Sequence, residues 1–152
     1  MPSAASSTSA KMTNTAEPLL LDTHVWIWLV RGEGRLPRAA LERMFAAAGA
    51  RAMFLSVMSI WELSLLDAKG RISLSLPCLA WVRTALERSV ALTAPLTPEI
   101  AIESNQLPDR LHNDPIDRRL VATARIEDLT LVTRDRVILD YAARGHLRAL
   151  AC

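Results

Sequence analysis

The apolar positions of this chain alternate between short continuous runs and longer helix-period stretches. Leu19-Leu20-Leu21, closing at Asp22, and Met53-Phe54-Leu55, closing at Ser56, read as short buried strands. Val90–Leu96 and Leu129–Thr133 read the same way, and Leu147–Leu150 is a candidate last strand. Helices are predicted over Thr23–Val30, Pro37–Ala48, Val57–Ala68, Pro77–Arg88, from Thr97-Pro98 to near Asn105, Pro115–Glu127 and Val137–Arg144. Gly32 and Gly34, Gly49 and Lys69-Gly70 punctuate them, and Pro37, Pro98 and Pro115 suit first helical turns. Arg71–Leu76 is a candidate extended segment and Leu107–Asn113 a loop. Strands that alternate with helices predict an α/β fold, a three-layer α/β/α sandwich around a central, mostly parallel sheet.

Composition limits the function classes. The 152 residues suit one domain, and 51% hydrophobic with 22% charged residues describes a globular chain. Residues 1–17, rich in Ser, Ala and Thr, read as a disordered tail, with Met12 as an alternative start, and residues 18–152 as the domain. The longest apolar stretch, Val25–Val30, is too short to span a membrane. Two cysteines without a CxxC pair, and only three histidines, argue against zinc and for a reducing cytoplasm. A net charge of +2 makes no general case for nucleic acid, although arginines crowd the last third of the chain.

The carboxylates change the picture. Each has a plain structural reading beside a functional one. Asp22 follows a strand and can cap the next helix. Open parallel sheets, however, bind ligands beyond the carboxyl ends of their strands, where Asp22 and Asp135 are both predicted. Glu62 has capping-box spacing from Ser59, but a helix start at Ser56 places it inside the helix among Met58, Leu65 and Leu66. Asp114 precedes Pro115 as an N-cap would. Asp117 suits the helix dipole, yet it leads a stripe of Leu120, Val121 and Ala124. Asp135 is also a plausible turn residue, flanked by Arg134 and Arg136.

Acids beside a core, with no matching buried base, imply a bound cation. Oxygen donors without Cys or convergent His select Mg²⁺ or Mn²⁺, ions that activate water and stabilise charge on phosphate. Asp22, Glu62, Asp117 and Asp135 are the candidate ligands, with Asp114 as an accessory or capping acid. Arg118, Arg134 and Arg136 are candidate phosphate contacts, each also explicable as a solvated surface charge. His24, His112 and His146 are not expected as ligands. His112 lies near an acid pair and is assigned a structural hydrogen bond in preference to a proton shuttle. Trp26, Trp28, Trp61 and Trp81 read as core or interface residues.

Leu20-Leu21-Asp22-Thr23-His24-Val25-Trp26 and Ser56-Val57-Met58-Ser59-Ile60-Trp61-Glu62-Leu63 resemble the first two acidic motifs of PIN domains. The segment from His112-Asn113-Asp114-Pro115-Ile116-Asp117 to Ala124 resembles the third, and Leu131-Val132-Thr133-Arg134-Asp135 the fourth. The subgroup is that of VapC-type toxin ribonucleases. The resemblance implies a PIN-like sandwich, metal-dependent endonucleolytic cleavage of RNA, a homodimer, and inhibition by a VapB-like antitoxin. It assigns Asp22, Glu62, Asp117 and Asp135 to the acidic positions and matches Asp114 to a further one. Thr133 matches a polar residue that orients the fourth acid or a water. Ile116 departs from the usual Phe or Ala. Alternatives are a solitary RNA-processing nuclease, a non-catalytic RNA- or protein-binding module, and an aspartyl phosphotransferase on Asp22. The last lacks the usual second acid, since His24 stands there.

Overall fold

The computed structural model describes residues 16–152. The five strands are β1 (Leu19–Leu21), β2 (Met53–Ser56), β3 (Leu92–Ala94), β4 (Thr130–Thr133) and β5 (Arg148–Ala151). The helices are α1 (Thr23–Arg31), α2 (Arg38–Gly49), α3 (Val57–Ala68), α4 (Cys78–Ser89), α5 (Pro98–Glu103), α6 (Pro115–Ile126) and α7 (Arg136–Ala143). The strands form one sheet in the order β3-β2-β1-β4-β5, and every pairing is parallel.

This order follows from burial. Leu19, Leu20 and Leu21 are all fully buried, so β1 has to sit in the middle with a layer on each face. Its side chains alternate accordingly. Leu19 and Leu21 join the core with Trp26, Met44, Leu63 and Trp81, while Leu20 joins Ile100, Leu120, Val121 and Tyr141 on the opposite side. From β1 the chain moves outward through β2 to β3. It then returns to β4 on the other flank of β1, so the direction of winding reverses between β1 and β4. That reversal opens a crevice at the carboxyl ends of these two strands.

The candidate extended segment Arg71–Leu76 joins no strand of the sheet, which ends at β3, although Ile72 and Leu74 pack on the core. The third strand starts only at Leu92, because Val90 closes α4 in a left-handed conformation, φ 55°. Glu17, at the edge of the expected tail, pairs with Arg43 and accepts from the Thr130 hydroxyl at 2.8 Å. The rest of the expected tail, up to residue 15, lies outside the described residues. Among the described residues no helix is long and apolar enough to cross a membrane.

Candidate active site

The strand ends place the acids. Asp22 is the first residue after β1, and its N–H still donates to Val132 in β4 at 3.0 Å. It caps α1, with Oδ1 accepting from the Thr23 N–H at 2.7 Å. Asp135 follows β4 and caps α7 through Oδ1, which accepts from the N–H groups of Val137 (2.8 Å) and Ile138 (3.1 Å). Asp114 caps α6 in the same way, with Ile116 at 2.9 Å and Asp117 at 3.0 Å. Capping and function are therefore not competing readings. Each cap satisfies otherwise unpaired helix N–H groups and fixes the orientation of its carboxylate.

Thr133 joins two of the acids. It is fully buried. Its hydroxyl donates to Asp22 Oδ2 at 2.7 Å and accepts from the Asp135 N–H at 3.0 Å. A second tie brings in α3. Ser56 caps that helix, accepting from the Met58 N–H at 3.0 Å, and Ser59 Oγ accepts from the buried Thr23 hydroxyl at 2.8 Å. This bond holds α3 against the start of α1. Glu62, three residues beyond Ser59, is thereby brought beside Asp22.

Electrostatics report how closely the acids converge. Asp117 lies half-buried at the third position of α6, and its carboxyl is pushed up to about 8. Burial is the main cause, followed by repulsion from Asp114, Asp22, Asp135 and Glu62. Burial likewise raises Asp22, against the hydrogen bonds from Thr133 and Thr23. It raises Glu62 too, opposed by Thr23 and His24 and reinforced by Asp22 and Asp114. The other four carboxylates thus all lie within electrostatic reach of Asp117. Among the described residues no Lys or Arg forms an ion pair with any of them.

His112 was set aside as a ligand, and the structure brings it to the site. Its Nε2 stands 3.2 Å from Asp117 Oδ2. Donor atoms of His112, Asp117 and Asp135 lie within 4.8 Å of one another. The expected structural bond is present as well, because Nδ1 accepts from the Asp114 N–H at 3.2 Å. A ring whose Nδ1 accepts carries its proton on Nε2, so neutral His112 donates to Asp117. The sequence signal for this was its position two residues before Asp114, which suffices for the turn contact but says nothing about Asp117.

The three arginines part company. Arg118 is engaged by the backbone: its guanidinium donates to the carbonyls of Ser104 (2.9 Å), Leu111 (3.1 Å) and His112 (3.4 Å), tying the loop before α6 to α5. Arg134 is exposed, donates to the Cys152 carbonyl at 2.8 Å and lies over the Trp28 ring. Arg136 is exposed in the first turn of α7. Two cavities of about 480 Å³ each open at the other end of the strands, lined in part by Arg125, His146 and Arg148 and by Glu17 and Arg43. Neither contains a site acid.

The donor set fits a hard divalent cation. It consists of carboxylate oxygens with one imidazole nearby, it includes no thiolate, and like-charge repulsion already costs it stability.

Comparison with known proteins places the chain among relatives of known fold. The PIN domain profile matches residues 19–144. The chain is 35% identical over 118 residues to Ribonuclease VapC22 of Mycobacterium tuberculosis, covering 78% of this chain and 87% of that protein. Its fold is similar to that of VapBC2 from Rickettsia felis, solved with a fragment of promoter DNA (TM-score 0.64, 14% identity, 88% of this chain and 98% of the other). It is also similar to DNA-bound VapBC from Salmonella typhimurium (TM-score 0.63, 20% identity, 89% and 98%).

Proposed function

Because this chain belongs to the PIN domain family, we propose that it is a divalent-metal-dependent endoribonuclease and the toxin of a toxin–antitoxin pair. The observation that supports the reading is the crowding of Asp117 by Asp22, Glu62, Asp114 and Asp135, which together with burial pushes its carboxyl up to about 8.

Asp22, Glu62, Asp117 and Asp135 are the residues that would hold Mg²⁺ or Mn²⁺, with Asp114 holding the start of α6 that presents Asp117. A divalent ion bound there supplies positive charge against a phosphate and makes a water acidic enough to attack it. The protein's own part is positioning. Thr133 fixes the orientation of Asp22 through Oδ2 and leaves Oδ1 directed by the α1 N-terminus. His112 holds Asp117 by donating from Nε2. Asp135 keeps one oxygen on the α7 N-terminus.

A VapB-like antitoxin as partner is inferred from the VapC relative and from the VapBC complexes that share this fold. Exposed Trp61 and Val57 on α3 suit the homodimer that the family resemblance implies, since large apolar side chains at a surface mark contacts. The cytoplasm, where RNA and a partner antitoxin are both present, is the compartment this reading requires.

The test is Asp22→Asn. The purified variant should cleave single-stranded RNA slower than wild type by on the order of a thousandfold, several kcal/mol of barrier, with its thermal melt retained. Wild type should lose cleavage in EDTA and recover it with Mn²⁺. An Asp22→Asn protein as active as wild type sinks the assignment.

A further inference from the structure

Next to the acids stands a built cluster that the proposed chemistry leaves unused. His24 and Trp28 lie one turn apart on α1, ring centroids 6.1 Å apart, and His24 is close enough to Asp22 to act on its charge. Two guanidinium groups lie over the Trp28 ring: that of Arg134 at 4.5 Å from the centroid and that of Arg35 at 5.6 Å. Arg134 also donates to the Arg35 carbonyl, which locks the two arginines to each other. It stands in the chain between Thr133, which bonds Asp22, and the acid Asp135. Glu33 pairs with Arg35 at 3.1 Å and with Arg31 at 3.6 Å.

The position of this cluster has a physical consequence. An RNA strand entering a pocket of five carboxylates brings more negative charge than one or two divalent ions neutralise. Cations on the rim have to hold the flanking phosphates. Arginines stacked on an aromatic ring lose less freedom on binding than free ones, and their outward N–H groups match phosphate oxygens. Arg35 keeps 57% of its side-chain surface exposed for this.

We propose that Arg35 and Arg134, arrayed on the indole of Trp28, bind the phosphates of the RNA strand flanking the scissile bond, and that Glu33 tempers this site. The proposal rests on the ribonuclease reading above. Trp28 is a positioning residue here, and the phosphate contacts are the two guanidinium groups.

The experiment uses a fluorescein-labelled single-stranded RNA of about 12 nucleotides, followed by anisotropy across a salt series, in an Asp117→Asn background that binds without cutting. Arg35→Gln should weaken binding by about fivefold and lower the salt slope by about 0.7, the loss of one phosphate contact to a single strand. Glu33→Gln, which frees two arginines, should tighten binding by roughly threefold, an effect that misfolding cannot imitate. Arg38→Gln, on the exposed side of α2, should change nothing. Unchanged affinity and slope in both Arg35→Gln and Glu33→Gln overturn the proposal. Cleavage of the same RNA by wild type with Mn²⁺ is scored in parallel. Normal cleavage with silent Arg35→Gln fails the rim site alone. No cleavage, with binding that responds to both variants, fails the nuclease reading alone.

Discussion

Asp117 bears the strain of the site, and it makes the protein's stability depend on pH in a defined direction. Its carboxyl titrates near 3.8 when free and at about 8 in the folded, metal-free chain. The folded state therefore holds a proton that the unfolded state has released throughout that window. The associated stability is complete below about 3.8 and is lost as pH rises through about 8. Asp22 and Glu62, also raised, act in the same direction. In EDTA the melting temperature should fall between pH 6 and 8.5, and Mn²⁺ should restore more of it at the upper end, where protons compete least. Asp117→Asn should flatten the metal-free profile and melt higher than wild type at pH 8, by on the order of 1–2 kcal/mol after partial solvation is allowed for. A variant with an unchanged slope would show that the crowding of acids is not felt in solution.

At the scale of elements, the site is a consequence of how helices begin. α1, α6 and α7 each start on an aspartate, the first and last of them just past a strand, so the caps that satisfy exposed N–H groups also fix the acids. Asp114→Ala removes two hydrogen bonds from the start of α6 and should cost about 1 kcal/mol in urea unfolding. Cleavage should fall further than that loss alone explains, because Asp117 and His112 both take their places from that turn. Arg118→Gln makes the complementary case. Its three carbonyl contacts brace the loop between α5 and α6, so stability should drop by about 1–2 kcal/mol while the affinity for RNA stays unchanged. A selective loss of RNA affinity would instead restore Arg118 to the phosphate contacts that its place in the sequence suggested.

At the scale of the molecule, β1 couples the two cores to the site. Leu20 is buried on one face, Leu19 and Leu21 on the other, and Asp22 ends the strand. Leu20→Ala should destabilise the fold by about 2–5 kcal/mol, with a lower urea midpoint and an unchanged m-value. Well below its midpoint the variant should still cleave, because the strand order that seats Asp22 between Ser56 and Thr133 does not depend on that one side chain. An inactive but folded Leu20→Ala protein would mean that core packing tunes the acids directly.

The order of strands and helices, the caps at Asp22 and Asp114 and the acids proposed for the site were legible in the amino-acid sequence by itself, whereas the cap at Asp135 was not. Each is written locally: an apolar run, a helical stripe, an Asp before Pro115. Such signals need only neighbours a few residues away. What only the tertiary structure decided is who meets whom. Thr133 reaches Asp22 across 111 residues, and Thr23 reaches Ser59 across 36, because β4 lies beside β1 and α3 packs against α1. The turn of Arg118 inward, the reach of His112 to Asp117 and the stacking of two arginines on Trp28 are equally non-local. Burial of both faces of one central strand chose the sheet order, and no periodicity along the chain carries that choice.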